Sequence, residues 1–139
     1  MANTIHVDIV SAEGQIFSGE ATMLFAPGSQ GELGIYPRHA PLLTTLTAGE
    51  VRVQTEGQEE QSFFVGGGAM EIQPHLVTVL ADTAVRARDL DEAAALAAKQ
   101  RAEDAVRNRG DKVDIAEAQS ELVRALAQLR AIARLRSKR

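Results

Sequence analysis

The first half of the chain alternates apolar and polar positions. Ile5, Val7 and Ile9 stand against His6, Asp8 and Val10, the period of a strand with one buried face. Gly14 and Gly19 punctuate short runs. Ala21 to Ala26 reads as a further strand, closed by the turn signal Pro27-Gly28-Ser29-Gln30-Gly31. Leu33 to Tyr36 is a short strand running into a corner, and Leu43 to Leu46 is extended. Val51 and Val53 face one way, Arg52 and Gln54 the other, and Glu56-Gly57 turns the chain toward Ser62 to Val65. Gly66-Gly67-Gly68 lacks the Lys-Ser/Thr ending of a phosphate loop and reads as a bend or bulge where backbones approach. Ala69 to Ile72, a turn at Gln73-Pro74-His75, and Val77 to Ala81 complete the pattern. Many short strands with Gly and Pro between them predict a β-sandwich or barrel over residues 1–86.

Near residue 87 the period changes. From Asp89 onward there is no Pro, Gly110 is the only Gly, and Ala dominates. Asp89 with Glu92 predicts an N-cap and capping box for a helix from about Leu90 to Arg107 or Asn108, ended by Gly110 at C′. Asp114 and Glu117 repeat the signal for a second helix from about Ile115 to Leu135. The short connection predicts an antiparallel hairpin over residues 87–139, which makes the chain α+β in two parts. The expected inward stripes are Leu90, Ala94, Ala97, Ala98, Ala105 and Val106 on the first helix. On the second they are Ile115, Ala118, Leu122, Ala125, Leu126, Leu129, Ile132 and Ala133. Burial contributes about 0.8 kcal/mol per CH₂, so an Ala face holds less than a Leu face. Such helices suit rearrangement as rigid rods, and equally a static hairpin of close approach.

Charge sharpens the division. Residues 1–86 carry ten acids and three bases, a net of −7; residues 87–139 carry nine acids and twelve bases, a net of +3. Opposite signs suggest two parts with different partners. After Glu121 there is no further acid, but there are Arg124, Arg130, Arg134, Arg136, Lys138 and Arg139. That exceeds what the helix macrodipole asks for and fits an anionic surface. The acidic first part argues against nucleic acid for the whole chain.

Catalysis finds little support. The histidines are His6, His39 and His75, with no H-E-x-x-H pair and no G-x-S-x-G. Zero cysteines exclude disulfides and thiolate metal sites and fit a reducing cytoplasm. There is no long apolar run for a membrane span, and Met1 to Thr4 shows no basic segment leading into an apolar core.

One stretch organises the chain: Gly31-Glu32-Leu33-Gly34-Ile35-Tyr36-Pro37-Arg38-His39-Ala40-Pro41-Leu42-Leu43. Pro37 and Pro41 fix φ and remove donors, so Arg38 and His39 sit in a stiff outward corner, a common way to build a contact site. This stretch closely resembles the signature loop of the epsilon subunit of the bacterial F-type ATP synthase. Val10-Ser11-Ala12-Glu13 with Phe17-Ser18-Gly19, Val77 to Ala84, and Asp89-Leu90-Asp91-Glu92-Ala93 resemble it too, in the family's order and spacing. The resemblance covers essentially the whole chain.

The resemblance implies a sandwich of about ten strands followed by a two-helix hairpin, in a non-catalytic rotor subunit of the central stalk. It implies a peripheral place on the cytoplasmic face of the bacterial inner membrane, with membrane contact only through the complex. The sandwich would bind the gamma subunit and rest on the c-ring, with Glu32 and His39, and Arg38 between the prolines, at that foot. The hairpin would inhibit ATP hydrolysis by extending into the catalytic head. Arg124, Arg130, Arg134 and Arg136 would then meet an acidic segment of a beta subunit. Asp91, Arg101 and Arg124 match family contacts to a regulatory ATP. Ala94 and Gln128, however, stand where ATP-binding members carry Arg, which implies weak binding or none. No other cofactor and no metal is expected. The rival reading is a free-standing β-sandwich module with a basic helical tail for an acidic protein partner.

Overall fold

A computed structural model of the chain describes residues 3–107 and 112–137, with side chains from residue 116 onward in the second segment. The chain divides into two compact units, Met1–Arg86 and Ala87–Arg139.

The first unit is an eight-stranded sheet: β1 (Ile5–Ser11), β2 (Gly14–Ala21), β3 (Met23–Gly28), β4 (Gly31–Ile35), β5 (Leu42–Gln54), β6 (Gln61–Gln73), β7 (Leu76–Ala81) and β8 (Ala84–Arg86). Hydrogen bonding runs in the order β2-β1-β7-β6-β5-β3-β4, and β8 pairs with β6. All pairs are antiparallel except β1 with β7.

About ten strands were expected; eight are continuous, because β5 and β6 each serve both layers. On β6 the core-facing residues are Phe63 and Val65 before the glycines, then Met70 and Ile72 after them. Strict alternation cannot join an odd set to an even set. The same switch occurs on β5, from Leu46 to Val51 and Val53. The two switches face each other, since Leu46 pairs with Gly68 and Val51 with Phe63. Before the switch β6 pairs with β8; after it, with β7. The long hairpin therefore bends over the core, as the triple glycine predicts. Gly67 and Gly68 have φ of 104° and 136°, outside the range of L-residues. A Cβ on Gly68 would lie 2.1 Å from the Leu80 carbonyl oxygen.

Both layers fill one core, with Ile5, Val7, Ile9, Leu24, Ile35, Phe63, Met70 and Ile72 all but fully buried. Phe17 packs its ring on Phe63 at 5.3 Å between centroids. No charged or polar residue is buried among the described residues. Three local expectations change. β3 runs through Pro27 and Gly28, so the turn to β4 is only Ser29-Gln30. Gly19 lies inside β2 and is not a break. β4 ends at Ile35, which leaves Tyr36 outside the strand.

The second unit begins with a 3-10 turn, Ala87–Asp89, followed by α1 (Glu92–Arg107) and α2 (Lys112–Ser137). The cap is Asp91, not Asp89. Its Oδ1 accepts the Ala94 N–H at 3.2 Å, the position where an N-cap carboxylate is needed. Asp89 is spent in the preceding turn. α2 starts at Lys112, earlier than Ile115, so Asp114 lies within the helix and is not its cap. The Gly110 C′ assignment lies outside the described residues, as does the side chain of Ile115.

The stripes also shift. On α1 the buried residues are Ala95 and Ala102, while Ala94, Ala97 and Ala105 are exposed. On α2 Ala118, Ala125 and Ile132 are buried as expected, Ala127 and Ala131 join them, and Ala133 is exposed. Arg136, near the end of α2, makes two charge-assisted hydrogen bonds to Glu92, at the start of α1. This contact and the short connection make the pair antiparallel.

Candidate partner-binding site

The corner after β4 is built on strain. Arg38 has φ of 66°, left-handed for a residue with a side chain, at a cost of order 1–3 kcal/mol. Two backbone bonds hold it. The Arg38 N–H donates to the Pro74 carbonyl at 2.7 Å, tying the corner to the β6–β7 turn. The His39 N–H donates to the Tyr36 carbonyl at 3.2 Å. Pro37 supplies the φ that starts the turn, as its sequence position predicts. The His39 Nδ1–H donates to the Ala40 carbonyl at 2.7 Å, which fixes the ring against its neighbour's backbone.

Around this corner the surface is apolar. Tyr36, Leu42 and Leu43 are 61%, 41% and 72% exposed, beside exposed Ala40 and Pro41. A contiguous exposed apolar patch on a rigid, strained corner marks a contact surface. The sequence shows these residues but not their exposure, because Leu42 and Leu43 fit the β5 pattern equally well as core.

The predicted site residues are not gathered into one cluster. Glu32 stands on β4, where its Oε1 accepts from Arg52 Nη2 at 2.8 Å. His39 turns to its neighbour's carbonyl. On the hairpin, Arg101, Arg124 and Arg130 are exposed, Arg134 is half-buried, and Arg136 holds Glu92. Asp91 and Arg101 are ten residues apart on one helix axis, about 15 Å. Asp91 already spends one carboxylate oxygen on its cap.

A cluster that sequence reasoning missed lies on β1 and β2. Ser18 Oγ–H donates to Asp8 Oδ1 at 2.7 Å, His6 Nε2 lies 3.0 Å from the same oxygen, and Gln15 donates to it at 3.2 Å. The Ser18 bond holds the Asp8 carboxyl below the usual range against the opposing effect of burial, with lesser help from His6. With a depressed folded pKa, this contact stabilises the fold above the ordinary carboxylate range and is lost as pH falls through the folded value. Ser, His and Asp here are not a nucleophilic triad. The serine proton goes to the aspartate, and His6 meets both groups through the same Nε2, at 3.1 Å from Ser18 Oγ, instead of bridging them through its two ring nitrogens. Among the described residues no group of acids and histidines is arranged to hold a metal.

The family model of the ATP synthase delta/epsilon chain β-sandwich domain matches residues 4–87, and that of its long α-helix domain matches residues 88–136. The chain is 63% identical over 138 residues to the ATP synthase epsilon chain of Nitrosococcus oceani, covering 99% of each. It is 57% identical over 139 residues to ATP synthase epsilon chain 1 of Methylococcus capsulatus, covering 100% of this chain and 99% of that one. The chain belongs to the bacterial F-type ATP synthase epsilon subunits.

Epsilon subunits are non-catalytic parts of the ATP synthase. The same fold occurs in solved chains of low sequence identity. A chain in the cryo-EM structure of the Euglena gracilis mitochondrial ATP synthase (OSCP/F1/c-ring) superimposes with a TM-score of 0.85 at 17% identity, over 94% of this chain and 82% of that one. A chain of the Tetrahymena thermophila mitochondrial ATP synthase central stalk/c-ring matches with a TM-score of 0.67 at 11% identity, over 92% and 96%. As a part of ATP synthase the epsilon chain works in a membrane-associated complex, and no described helix is long and apolar enough to cross a membrane.

Proposed function

We propose that this epsilon subunit turns with the central stalk, couples proton flow through the c-ring to ATP synthesis, and restrains ATP hydrolysis through its hairpin. The observation that carries the coupling role is the strained corner, pinned to Pro74 and covered with exposed apolar groups. Its partners are the gamma subunit and the polar loops of the c-ring, with Glu32, Arg38 and His39 at the contact. The complex sits on the cytoplasmic face of the bacterial inner membrane, and this subunit meets the membrane only through it. The hairpin extends along gamma to an acidic segment of a beta subunit, where Arg124, Arg130, Arg134 and Arg136 form ion pairs.

Co-purification tests the assignment. The full chain is expected to come out with gamma at one-to-one stoichiometry. Residues 1–86, whose core closes without the helices, are expected to fold alone and do the same. A chain that emerges with an acidic protein other than gamma would make it a free-standing binding module.

ATP is a weak ligand of the hairpin in this reading. Ala94 and Gln128 lack guanidinium groups, each of which would be worth about 1.5–3 kcal/mol against phosphate. The Asp91 carboxylate is engaged at the start of α1. Titration calorimetry at millimolar ATP is expected to show little heat, and Ala94→Arg is expected to tighten binding. Micromolar affinity in the unaltered chain would refute this.

A further inference from the structure

Glu32 is an exposed carboxylate on β4, the strand at the end of the sheet. Alone, such a side chain samples many rotamers. Here a cation from two strands away holds it. Arg52 on β5 reaches across β3 and donates through Nη2 to Glu32 Oε1 at 2.8 Å. Its guanidinium lies over the Phe25 ring, 4.3 Å from the centroid, and its Nη1 is 3.8 Å from Glu60 Oε2. The Arg52 side chain is 20% exposed and that of Glu60 16%, against 59% for Glu32. Arg52 is thus held by the Phe25 ring and by Glu60, both less exposed than the Glu32 carboxylate it reaches.

The register shows how the ring is placed. Phe25 pairs with Arg52 on one side and with Gly34 on the other. A Cβ on Gly34 would press on Met23 Cε at 3.1 Å and would meet Phe25 Cε1 at an ordinary contact distance of 3.5 Å, so the ring lies over the backbone at Gly34. Pro27 and Glu32 form the pair two positions along the same two strands, on the same face. The backbone at Gly34, the Phe25 ring, the Arg52 fork and the Glu32 carboxylate form one continuous line of contact.

We propose that Arg52 is the positioning residue of the coupling contact: it holds Glu32 Oε1 and presents Oε2 to a hydrogen-bond donor of the partner. Among the described residues Oε2 has no partner in the chain. A planar fork stacked on a ring and donating at one edge is specific to Arg, and an ammonium cannot reproduce it. The inference rests on the reading of Glu32 as a partner contact.

The test uses reconstituted enzyme carrying the full chain with Glu32→Gln, Arg52→Gln, both together, or Arg52→Lys. ATP-driven proton pumping into vesicles is divided by the rate of ATP hydrolysis. Each single Gln variant is expected to lower this ratio by about twofold or more, and the double variant to fall no further, the mark of two residues acting as one. Arg52→Lys is not expected to restore it. A wild-type ratio for Arg52→Gln with a lowered one for Glu32→Gln would overturn the positioning role and leave the Glu32 reading standing. Additive losses in the double variant would overturn it too. A wild-type ratio for Glu32→Gln would remove both. If Arg52→Gln fails to fold, Phe25→Leu keeps both charges and removes the ring. It is then expected to lower the ratio partway, and an unchanged ratio would overturn the proposal.

Discussion

Gly68→Ala is expected to destabilise the sandwich by about 4 kcal/mol or more, into the range that single substitutions seldom reach. Two independent costs combine. At φ 136° an L-residue is strained wherever it stands. The new Cβ would also meet the Leu80 carbonyl oxygen at 2.1 Å and Ala81 Cα at 2.9 Å. These are backbone atoms of the paired strand β7, so relief requires β6 and β7 to separate where both layers depend on them. Gly57→Ala is the control. Gly57 also has positive φ, 76°, but a Cβ there meets nothing within 4 Å. It is expected to cost about 1–2 kcal/mol. Urea unfolding of the two variants separates strain from collision. A loss at Gly68 no larger than that at Gly57 would mean that the bend is not a close backbone crossing.

Much of the fold is legible in the residues, and the failures have physical causes. The Ile5, Val7, Ile9 alternation and the triple-glycine bend read correctly because side-chain contrast there is strong. The continuity of β5 and β6 was hidden by their bend: a switch in core-facing parity looks like the end of one strand and the start of another. The phase of α1 was misread because Ala94, Ala95, Ala97 and Ala98 are chemically identical, so nothing in the pattern tells inside from outside. Two aspartates, Asp89 and Asp91, offered themselves as the cap, and the 3-10 turn that consumes Asp89 has no sequence signature of its own. The corner was legible through its prolines. Its support was not: Arg52 lies twenty residues from Glu32, and Pro74 is further still from Arg38.

The hairpin carries the second large effect. Among the described residues its buried helix positions are Ala95, Ala102, Ala118, Ala125, Ala127, Ala131 and Ile132, and all but Ile132 contribute little apolar area. An exposed ion pair such as Glu92–Arg136 adds about 0–1 kcal/mol. In the proposed extension this grip is exchanged for contacts along gamma and for ion pairs with acidic beta-subunit residues, a balance expected to be of order a few kcal/mol, small enough for both states to be populated. Arg136 holds Glu92 in the folded hairpin and would serve the proposed extended state as well. Arg136→Ala alone is expected to change inhibition less than joint replacement of Arg124, Arg130 and Arg134, because its loss weakens the Glu92 contact of the folded hairpin as well as the proposed extended state. Raised salt weakens the ion pairs of both states, so its net effect is smaller than that of the triple replacement.

The most direct measurement is ATP hydrolysis by reconstituted enzyme with the full chain and with residues 88–139 removed. The account predicts that the truncated subunit still assembles with gamma and that hydrolysis rises. Equal rates in the two enzymes would contradict the proposal that this hairpin is a brake.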